Sequence, residues 1–427
     1  MLPLLVSAAL SLFAPPLQAE VDRQTSLLIK QLGNPSFRQR DAAAKQLVAM
    51  GGLSRKALEA AVRHPDFEVR EHARRLASEA LDVDIRRRID RFSTDDGTAR
   101  VDLPGWNSFR KSVGSGAVAR KFFIGVFSAH RDLLQELETD PEKTRRLVGQ
   151  RCSDIQATID AQDNPNVRGQ PAQPYRVGLP QFAALMLAGM DEKVVKRRKA
   201  LPEEEQDAWD EFPVAGFMGE PYFAAYLGKE DESPLFKKLF LGWLDAQLGR
   251  FAESRGRDAS EISPALEAVR GAKLRDAVAF VEKVVALAKS SPEVRASGFL
   301  CLGSFGDKKH LKLIESYLKD NSQVSSIRVN RGGAMTYECQ LRDVALGMTI
   351  KLQGEKPSQF GFDGMNIWGS RDDDFQYYCF SFTSEENRKA TFKKWEEYAK
   401  QKGLPAVDAT PAKDRPGADG SKKDTGK

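Results

Sequence analysis

"NPSFRQRDAAAKQL" (residues 34–47) returns thirty residues later as "HPDFEVREHARRLA" (residues 64–77). Five positions keep their residue type or charge, namely Pro35 and Pro65, Phe37 and Phe67, Arg40 and Arg70, Asp41 and Glu71, Ala43 and Ala73. Each copy joins two short amphipathic segments, which predicts a helix, a tight turn and a second helix. Because so short a pair cannot bury its apolar stripe alone, it must stack on a neighbour, as in an α-solenoid.

Helix-start signals support this interpretation in both copies. Ser36 is a suitable N-cap with Gln39 three residues later, the pattern of a capping box, and Asp66 caps the second copy. The helix before the first turn presents Leu27, Leu28 and Leu32 at helical spacing. We therefore expect helical hairpins over residues 20–95.

The pattern returns in the C-terminal part. "SPEVRASGFLCLG" (residues 291–303) has Ser291 as a cap and Pro292 at the first helical position, and "QLRDVALGMTIKL" (residues 340–352) begins a further copy. Between them, apolar and polar residues alternate on both sides of an Arg-Gly-Gly turn. This alternation predicts a β-hairpin at about residues 325–340, inserted between helices.

An acidic residue after Pro65 and Pro292, followed by Val-Arg, resembles the HEAT-like repeat. The whole layout resembles exported bacterial HEAT-like repeat proteins of unassigned function. That resemblance rests on "LPGWNSFRKSVG" (residues 103–114), the hairpin before "LRDVALGM", "QFGFD" (residues 359–363) and "KATFKKWEEY" (residues 389–398), and it covers most of residues 24–402. It implies an all-α, HEAT-like α-solenoid and carries no catalytic residues.

The N-terminus reads as a secretory signal peptide over residues 1–19. This stretch has no charged side chain, an apolar run too short to span a bilayer, and a small-residue cleavage site after Ala19. Because the stretch also lacks Lys and Arg before its apolar run, a buried N-terminal helix is the alternative. We expect export to the periplasm or beyond, with no membrane span after cleavage.

Composition shifts divide the remaining chain. The expected regions are N-terminal HEAT-like repeats at 20–95, an irregular helical middle at 96–260, C-terminal repeats with a capping helix at 261–403, and a disordered tail at 404–427. The formal net charge of +5 is modest for 427 residues and does not imply nucleic acid. The basic run at residues 193–200 is followed directly by acidic residues, which is typical of a solvated helix face.

The cysteine and histidine spacings match no metal motif, and we expect no cofactor or metal. Among the four cysteines, only Cys339 and Cys379 are candidates for a disulfide. A Cys152 nucleophile with His130 as its base has no support from spacing. "GSGAVA" (residues 114–119) matches a dinucleotide fingerprint but follows a helical segment, so a loop between helices is the better interpretation.

The most suggestive stretch is aromatic. Residues 360–382 hold eight aromatic side chains beside acidic ones, and the candidate partner-binding residues are Trp368, Asp372, Phe375, Tyr377 and Tyr378. Such rings stack on sugars or seat a partner's side chains. The alternative is a segment that covers the open face of the last repeat. Three carboxylates at residues 372–374 suggest Ca²⁺, but their spacing fits no EF-hand.

These patterns favour a non-catalytic α-solenoid, exported to the cell envelope, that binds a protein partner along its surface. The alternative is a carbohydrate-binding or carbohydrate-processing protein that uses residues 360–382. The first hypothesis needs the aromatic rings to be packed inward. The second needs them to be gathered in an open cleft with carboxylates.

Overall fold

A computed structural model describes residues 15–95, 102–163, 177–191, 194, 214–219, 221–228, 233–253, 259–287, 290–330, 334–369 and 375–404. The chain divides into two compact units, Met1–Leu103 and Pro104–Lys427. The middle and C-terminal regions therefore belong to one unit.

The first unit contains four α-helices among its described residues. They are α1 (Pro15–Gln31), α2 (Phe37–Met50), α3 (Arg55–Ala61) and α4 (Phe67–Thr94). Helix α1 packs on α2, and α3 packs on α4, so the two sequence copies form two helical hairpins. Their shared core is made of small and aliphatic side chains, including Leu28, Leu32, Ala43, Leu47, Leu58, Ala73 and Leu76.

The repeated arginine makes the same turn contacts in both copies. One terminal nitrogen of Arg40 donates to the carbonyls of Asn34 and Pro35, at 2.7 and 3.1 Å. Arg70 donates in the same way to the carbonyls six and five residues before it, at 2.9 and 2.7 Å. Each guanidinium also lies over the ring three residues earlier, that of Phe37 or Phe67. The repeated sequence therefore specifies a repeated turn.

Two details differ from the sequence expectation. Ser36 occupies the N-cap position but its side chain makes no capping hydrogen bond, whereas Asp66 accepts from the backbone N–H groups of Glu68 and Val69. Leu27 is 56% exposed, so the apolar face of α1 consists of Leu28, Ile29 and Leu32. The core lies one residue further along the helix than the predicted stripe.

The second unit begins with helices α5 (Trp106–Val113), α6 (Ala117–Ala129), α7 (Arg131–Leu137), α8 (Pro141–Asp163) and α9 (Leu179–Met190). A 3-10 segment (Val214–Gly219) precedes α10 (Pro221–Gly228) and α11 (Ser233–Glu253). Gly114 and Gly116 lie in the loop between α5 and α6, so the dinucleotide-like pattern has no strand before it.

The C-terminal part continues with α12 (Ala259–Gly271), α13 (Val278–Ala286), α14 (Pro292–Phe305) and α15 (Leu311–Glu315). Strands β1 (Gln323–Asn330) and β2 (Ala334–Gln340) follow, then α16 (Leu341–Leu352), α17 (Asp363–Trp368), a 3-10 turn (Tyr377–Phe380) and α18 (Glu385–Gln401). Helix α12 packs on α14, and α14 packs on α16.

Glycines allow these helices to approach closely. A Cβ at Gly298 would lie 2.5 Å from Val285 on α13. A Cβ at Gly303 would overlap the Met348 side chain on α16. Since real Cβ atoms essentially never make such contacts, a side chain at either position would force Val285 or Met348 to move.

The predicted β-hairpin is confirmed, with slightly wider bounds of residues 323–340. Strands β1 and β2 pair antiparallel, with Ile327 opposite Tyr337 and Arg328 opposite Thr336. The predicted Arg-Gly-Gly turn, residues 331–333, lies outside the described residues. Glu338 also exchanges two backbone hydrogen bonds with Phe382, at 2.9 Å each, which ties the hairpin to the aromatic segment.

The described chain is thus predominantly helical with one two-stranded antiparallel sheet, as the all-α fold class predicts. Residues 1–14 of the predicted signal peptide and residues 405–427 of the predicted tail lie outside the described residues. Helix α1 runs through the predicted cleavage site after Ala19. Within the described residues, no helix combines the length and apolarity needed to cross a membrane.

Candidate functional site

A groove of about 910 Å³ crosses the C-terminal ends of three helices that pack side by side, α12, α14 and α16. Its remaining walls come from the 3-10 segment at 214–219, from α10, and from the start of the segment at 375–380. The lining residues include Met218, Gly219, Ala224, Glu267, Arg270, Gly271, Lys273, Leu300, Gly303, Ser304, Gly306, Met348, Lys351, Gly354, Glu355, Lys356, Phe375 and Gln376.

Small residues at the helix ends keep this groove open. Helix α12 ends in Gly271, and α14 ends in Phe305 followed by Gly306, which has a φ of 70°. Only glycine adopts that left-handed conformation readily, so it is a common residue just past a helix end. Because glycines replace longer side chains here, the backbone itself forms part of the groove surface.

The lining carries more positive than negative charge among its described residues. The cations are Arg270, Lys273, Lys351 and Lys356, and the carboxylates are Glu267 and Glu355. The Glu355 carboxylate accepts a short hydrogen bond from the Tyr398 hydroxyl on α18, and this bond raises the pKa of Tyr398. Glu355 is therefore engaged by the final helix as well as facing the groove.

Phe375 joins the predicted aromatic segment to this groove. Its carbonyl accepts a 2.6 Å hydrogen bond from Arg270, and the Lys351 ammonium lies 5.2 Å from its ring centroid. The ring itself is buried. Of the predicted partner-binding residues, Phe375 therefore lies in the groove wall and holds two of its cations in place.

The other predicted site residues are arranged as a separate aromatic cluster. The Trp368 ring packs edge-on against Tyr337 and Tyr378, at centroid distances of 5.1 and 5.3 Å, and Tyr378 packs against Tyr377 at 5.7 Å. Trp368, Tyr377 and Tyr378 are half-buried. Asp372, and the proposed Ca²⁺-binding carboxylates with it, lie outside the described residues.

Most of the aromatic segment faces inward. Its buried rings are Phe360, Phe362, Phe375, Phe380 and Phe382. The Phe380 ring fills the space that a side chain at Gly347 on α16 would need. At the other end, the Asp363 carboxylate accepts from the Thr383 N–H and hydroxyl, at 2.8 and 2.7 Å. The segment therefore covers the open face of the last helical pair.

A buried ion pair fixes the final helix, α18, to α16. Arg388 on α18 donates from Nε to both carboxylate oxygens of Asp343 at 3.0 and 3.1 Å, and the two side chains are 4% and 0% exposed. Burial by itself lowers the pKa of Arg388, but the Asp343 and Glu385 carboxylates outweigh it, so that pKa is raised. Arg342 joins the network by donating to Glu385 at 3.0 Å.

The candidate nucleophile and base are both enclosed. Cys152 is fully buried, and His130 is 7% exposed, with its Nε2 lacking a hydrogen-bond partner among the described residues. Burial, with help from the nearby charge of Arg151, lowers the pKa of His130. A nucleophile must be reached by its substrate, so these positions are those of core residues.

All four cysteines are buried free thiols, and Cys339 and Cys379 are not joined. The Cys339 thiol donates to the Tyr377 carbonyl at 3.2 Å, and burial raises the pKa of both Cys301 and Cys339. No group of three His, Cys, Asp or Glu side chains that could hold a metal ion occurs among the described residues.

Sequence reasoning missed the groove as a site. Its cations come from four separate positions between residues 270 and 356, and no short motif joins them. The available signal was a basic residue in the last turn of a helix, Arg270 in α12 and Lys351 in α16, followed shortly by an exposed lysine. Such residues also stabilise helix C-termini, so this signal alone is weak.

Comparison with known proteins adds no relative. No family model, no curated protein and no solved structure matches the chain.

Proposed function

We propose that the chain is an exported, non-catalytic helical-repeat scaffold that binds a protein partner through the groove formed by α12, α14 and α16. One observation carries this proposal. The groove runs over three helices that pack side by side, and most of its lining side chains are polar or small. Stacked helical hairpins characteristically present extended surfaces of this kind to other macromolecules.

The character of the lining favours a protein segment over a small molecule. Small-molecule sites are enclosed and mostly apolar, with a few convergent polar groups. Here the apolar lining is limited to a few side chains such as Met218, Leu300, Met348 and Phe375, while charged groups come from several elements. An extended chain satisfies such dispersed groups better than a compact ligand does.

The chemistry of the lining favours binding over catalysis. Among its described residues there is no Cys or His, and nucleophilic catalysis requires an activated nucleophile with a base within hydrogen-bonding reach. One of its two carboxylates, Glu355, is held by Tyr398. The arrangement therefore supports recognition by charge and shape.

The exported location rests on the sequence alone. It follows from the uncharged apolar stretch at residues 1–19 and from the resemblance to exported HEAT-like repeat proteins. It would place the partner in the cell envelope.

A carbohydrate ligand is the second candidate, and one observation favours it. Trp368, Tyr377 and Tyr378 are half-buried rather than buried, so part of each ring is open to solvent. Aromatic faces of this kind stack on sugars. These rings also pack edge-on against one another, and this packing occupies part of the ring surface that a sugar would need. It therefore favours the alternative in which the segment covers the last helical pair.

Affinity capture with residues 20–427 from an envelope extract, followed by mass spectrometry, tests the proposal. The matched variant is Ser304→Trp, which fills the groove without changing its charge, and the control is Ser128→Trp on the exposed face of α6. Circular dichroism of both variants checks that the fold is kept.

The proposal predicts a protein captured by the wild type and by Ser128→Trp but lost with Ser304→Trp. If Ser304→Trp unfolds, Gln376→Trp at the groove wall replaces it with the same expected loss and the same unchanged charge. Capture that is equal for all folded variants, or enrichment of glycan without protein, would contradict the proposal.

A further inference from the structure

We infer that the groove binds an extended acidic peptide segment, whose carboxylates pair with the lysines at its rim. This inference rests on the proposed function and names the chemistry of the partner. The evidence for an acidic ligand is the arrangement of charged side chains around the groove.

Two lysines supply positive charge at the rim of the groove. Lys273 follows the end of α12 and Lys356 follows the end of α16, and both are exposed at the groove. Neither has an ion-pair partner among the residues that the structure describes. Lys273 also has a φ of 49°, which is uncommon for a residue other than glycine. Such a backbone is strained in isolation, so the turn around it fixes the backbone position from which this flexible side chain extends.

The other two cations of the groove, Arg270 and Lys351, also stabilise the structure. Arg270 and Lys351 lie in the last turns of α12 and α16, where they offset the partial negative charge of the helix C-termini. Both are also held by Phe375, through its carbonyl and its ring respectively. We therefore assign the excess positive charge available to a ligand to Lys273 and Lys356.

The two groove carboxylates restrict the kind of anion that fits. Glu267 is exposed on α12, and Glu355 directly precedes Lys356. A ligand with continuous negative charge, such as nucleic acid, would meet both carboxylates and be repelled. A peptide with spaced carboxylates can place them at the lysines and place neutral residues beside Glu267 and Glu355.

Exposed glycines complete the match to a peptide. Gly219, Gly271 and Gly306 line the groove without side chains, so a bound main chain can approach the protein backbone there. Close backbone approach is a recognised use of glycine at binding surfaces. The groove thus offers main-chain access between its charged positions.

Fluorescence anisotropy with three labelled peptides of about ten residues tests the inference. The peptides alternate glycine with glutamate, lysine or serine, and binding is measured at about 50 and 300 mM NaCl, because salt screens exposed charges. The test variant is Lys273→Glu/Lys356→Glu. The control is Lys312→Glu/Lys319→Glu, which changes net charge equally at exposed positions outside the groove lining.

We expect the glutamate peptide alone to bind, with affinity lowered about tenfold or more by Lys273→Glu/Lys356→Glu and by no more than about twofold in the control. Higher salt should weaken the wild-type complex. The inference is overturned if the glutamate peptide fails to bind, if the serine or lysine peptide binds as tightly, or if both double variants lose affinity equally. A groove-dependent protein partner without glutamate-peptide binding would leave the proposed function standing and reject only this inference.

Discussion

The N-terminal repeats and the C-terminal helical pairs use the same sequence signature in different ways. Arg40 and Arg70 each donate to two turn carbonyls and lie over an exposed phenylalanine ring. At the corresponding C-terminal positions, Arg295 also donates to two carbonyls, those of Leu287 and Val285 at 2.9 and 3.4 Å, but lies over the more distant Tyr317, whereas Arg342 pairs with Glu385.

This difference shows what a repeat keeps and what it changes. In the N-terminal copies, the arginine makes the same local hydrogen bonds to two turn carbonyls. In the C-terminal copies the arginine serves longer-range contacts, while glycines, the β-hairpin and the aromatic segment are added. The groove lies among the altered copies, so departure from the repeat marks the candidate site.

The largest expected effect concerns the buried ion pair of the C-terminal part. Replacing Arg388 by Met leaves the Asp343 carboxylate buried without its cation, and should lower the free energy of unfolding by about 3–5 kcal/mol. Chemical denaturation, followed by the fluorescence of the C-terminal tryptophans, measures this loss.

The matched control for that change removes both charges. Asp343→Leu/Arg388→Met replaces the pair with apolar groups and should recover most of the lost stability. If Arg388→Met costs less than about 1 kcal/mol, the pair does not hold α18 in place.

A glycine in α16 gives the next largest effect. A Cβ at Gly347 would overlap the Phe380 ring, so Gly347→Ala should cost about 1–3 kcal/mol by overpacking. Gly249 in α11 has open space around it, and Gly249→Ala should stabilise the protein by about 0.5–1 kcal/mol through helix propensity. Thermal unfolding of the two variants should thus shift in opposite directions, and a shift in the same direction would refute the close packing.

The N-terminal repeats predict a smaller effect that is equal in the two copies. Arg40→Met and Arg70→Met should each cost about 1 kcal/mol, because each removes the donor to two turn carbonyls. Arg38→Met, at an exposed position in the same turn of α2, should change stability by less than about 0.5 kcal/mol. Hydrogen exchange in α2 and α4 measures these changes, and a loss confined to one copy would show that the copies are not equivalent.

The smallest effect is a pH dependence of the second unit. Burial lowers the pKa of His130 and of His310, whose Nδ1 lies 3.2 Å from Glu282. Since the unfolded chain then binds protons more readily than the folded one, stability is full above the unfolded pKa of 6.5 and declines as pH falls below it. Denaturation midpoints at pH 7.5 and 5.5 measure the decline, which His130→Gln/His310→Gln should reduce. An unchanged decline in that variant would assign it to other groups.

Local signals predicted the fold well because the determining contacts are local. Asp66 caps α4 within three residues, and the alternation before and after the Arg-Gly-Gly turn specifies the hairpin. The prediction that Leu27 belongs to the buried face of α1 was wrong. Helical periodicity gives the width of an apolar stripe, but it does not show which edge of the stripe packs against the neighbouring helix.

The candidate site was harder to predict because it depends on distant residues. The groove unites Arg270 and Lys356, which are separated by the hairpin and four helices, so only the packing of α12, α14 and α16 reveals it. Phe375 is one of the predicted partner-binding residues, and the structure places its buried ring in the groove wall, where the residue anchors two cations. A sequence shows that an aromatic residue is present, but the fold decides which side of it is free.

Site-specific photo-crosslinking tests the central claim most directly, namely that partner binding belongs to the altered C-terminal copies. A benzoylphenylalanine is placed at Ser304 in the groove or at Phe37 in the N-terminal repeat, and each protein is irradiated in envelope extract. The account predicts a discrete protein adduct from the Ser304 position and none from the Phe37 position. An adduct from Phe37 alone would contradict it and move the binding surface to the repeats.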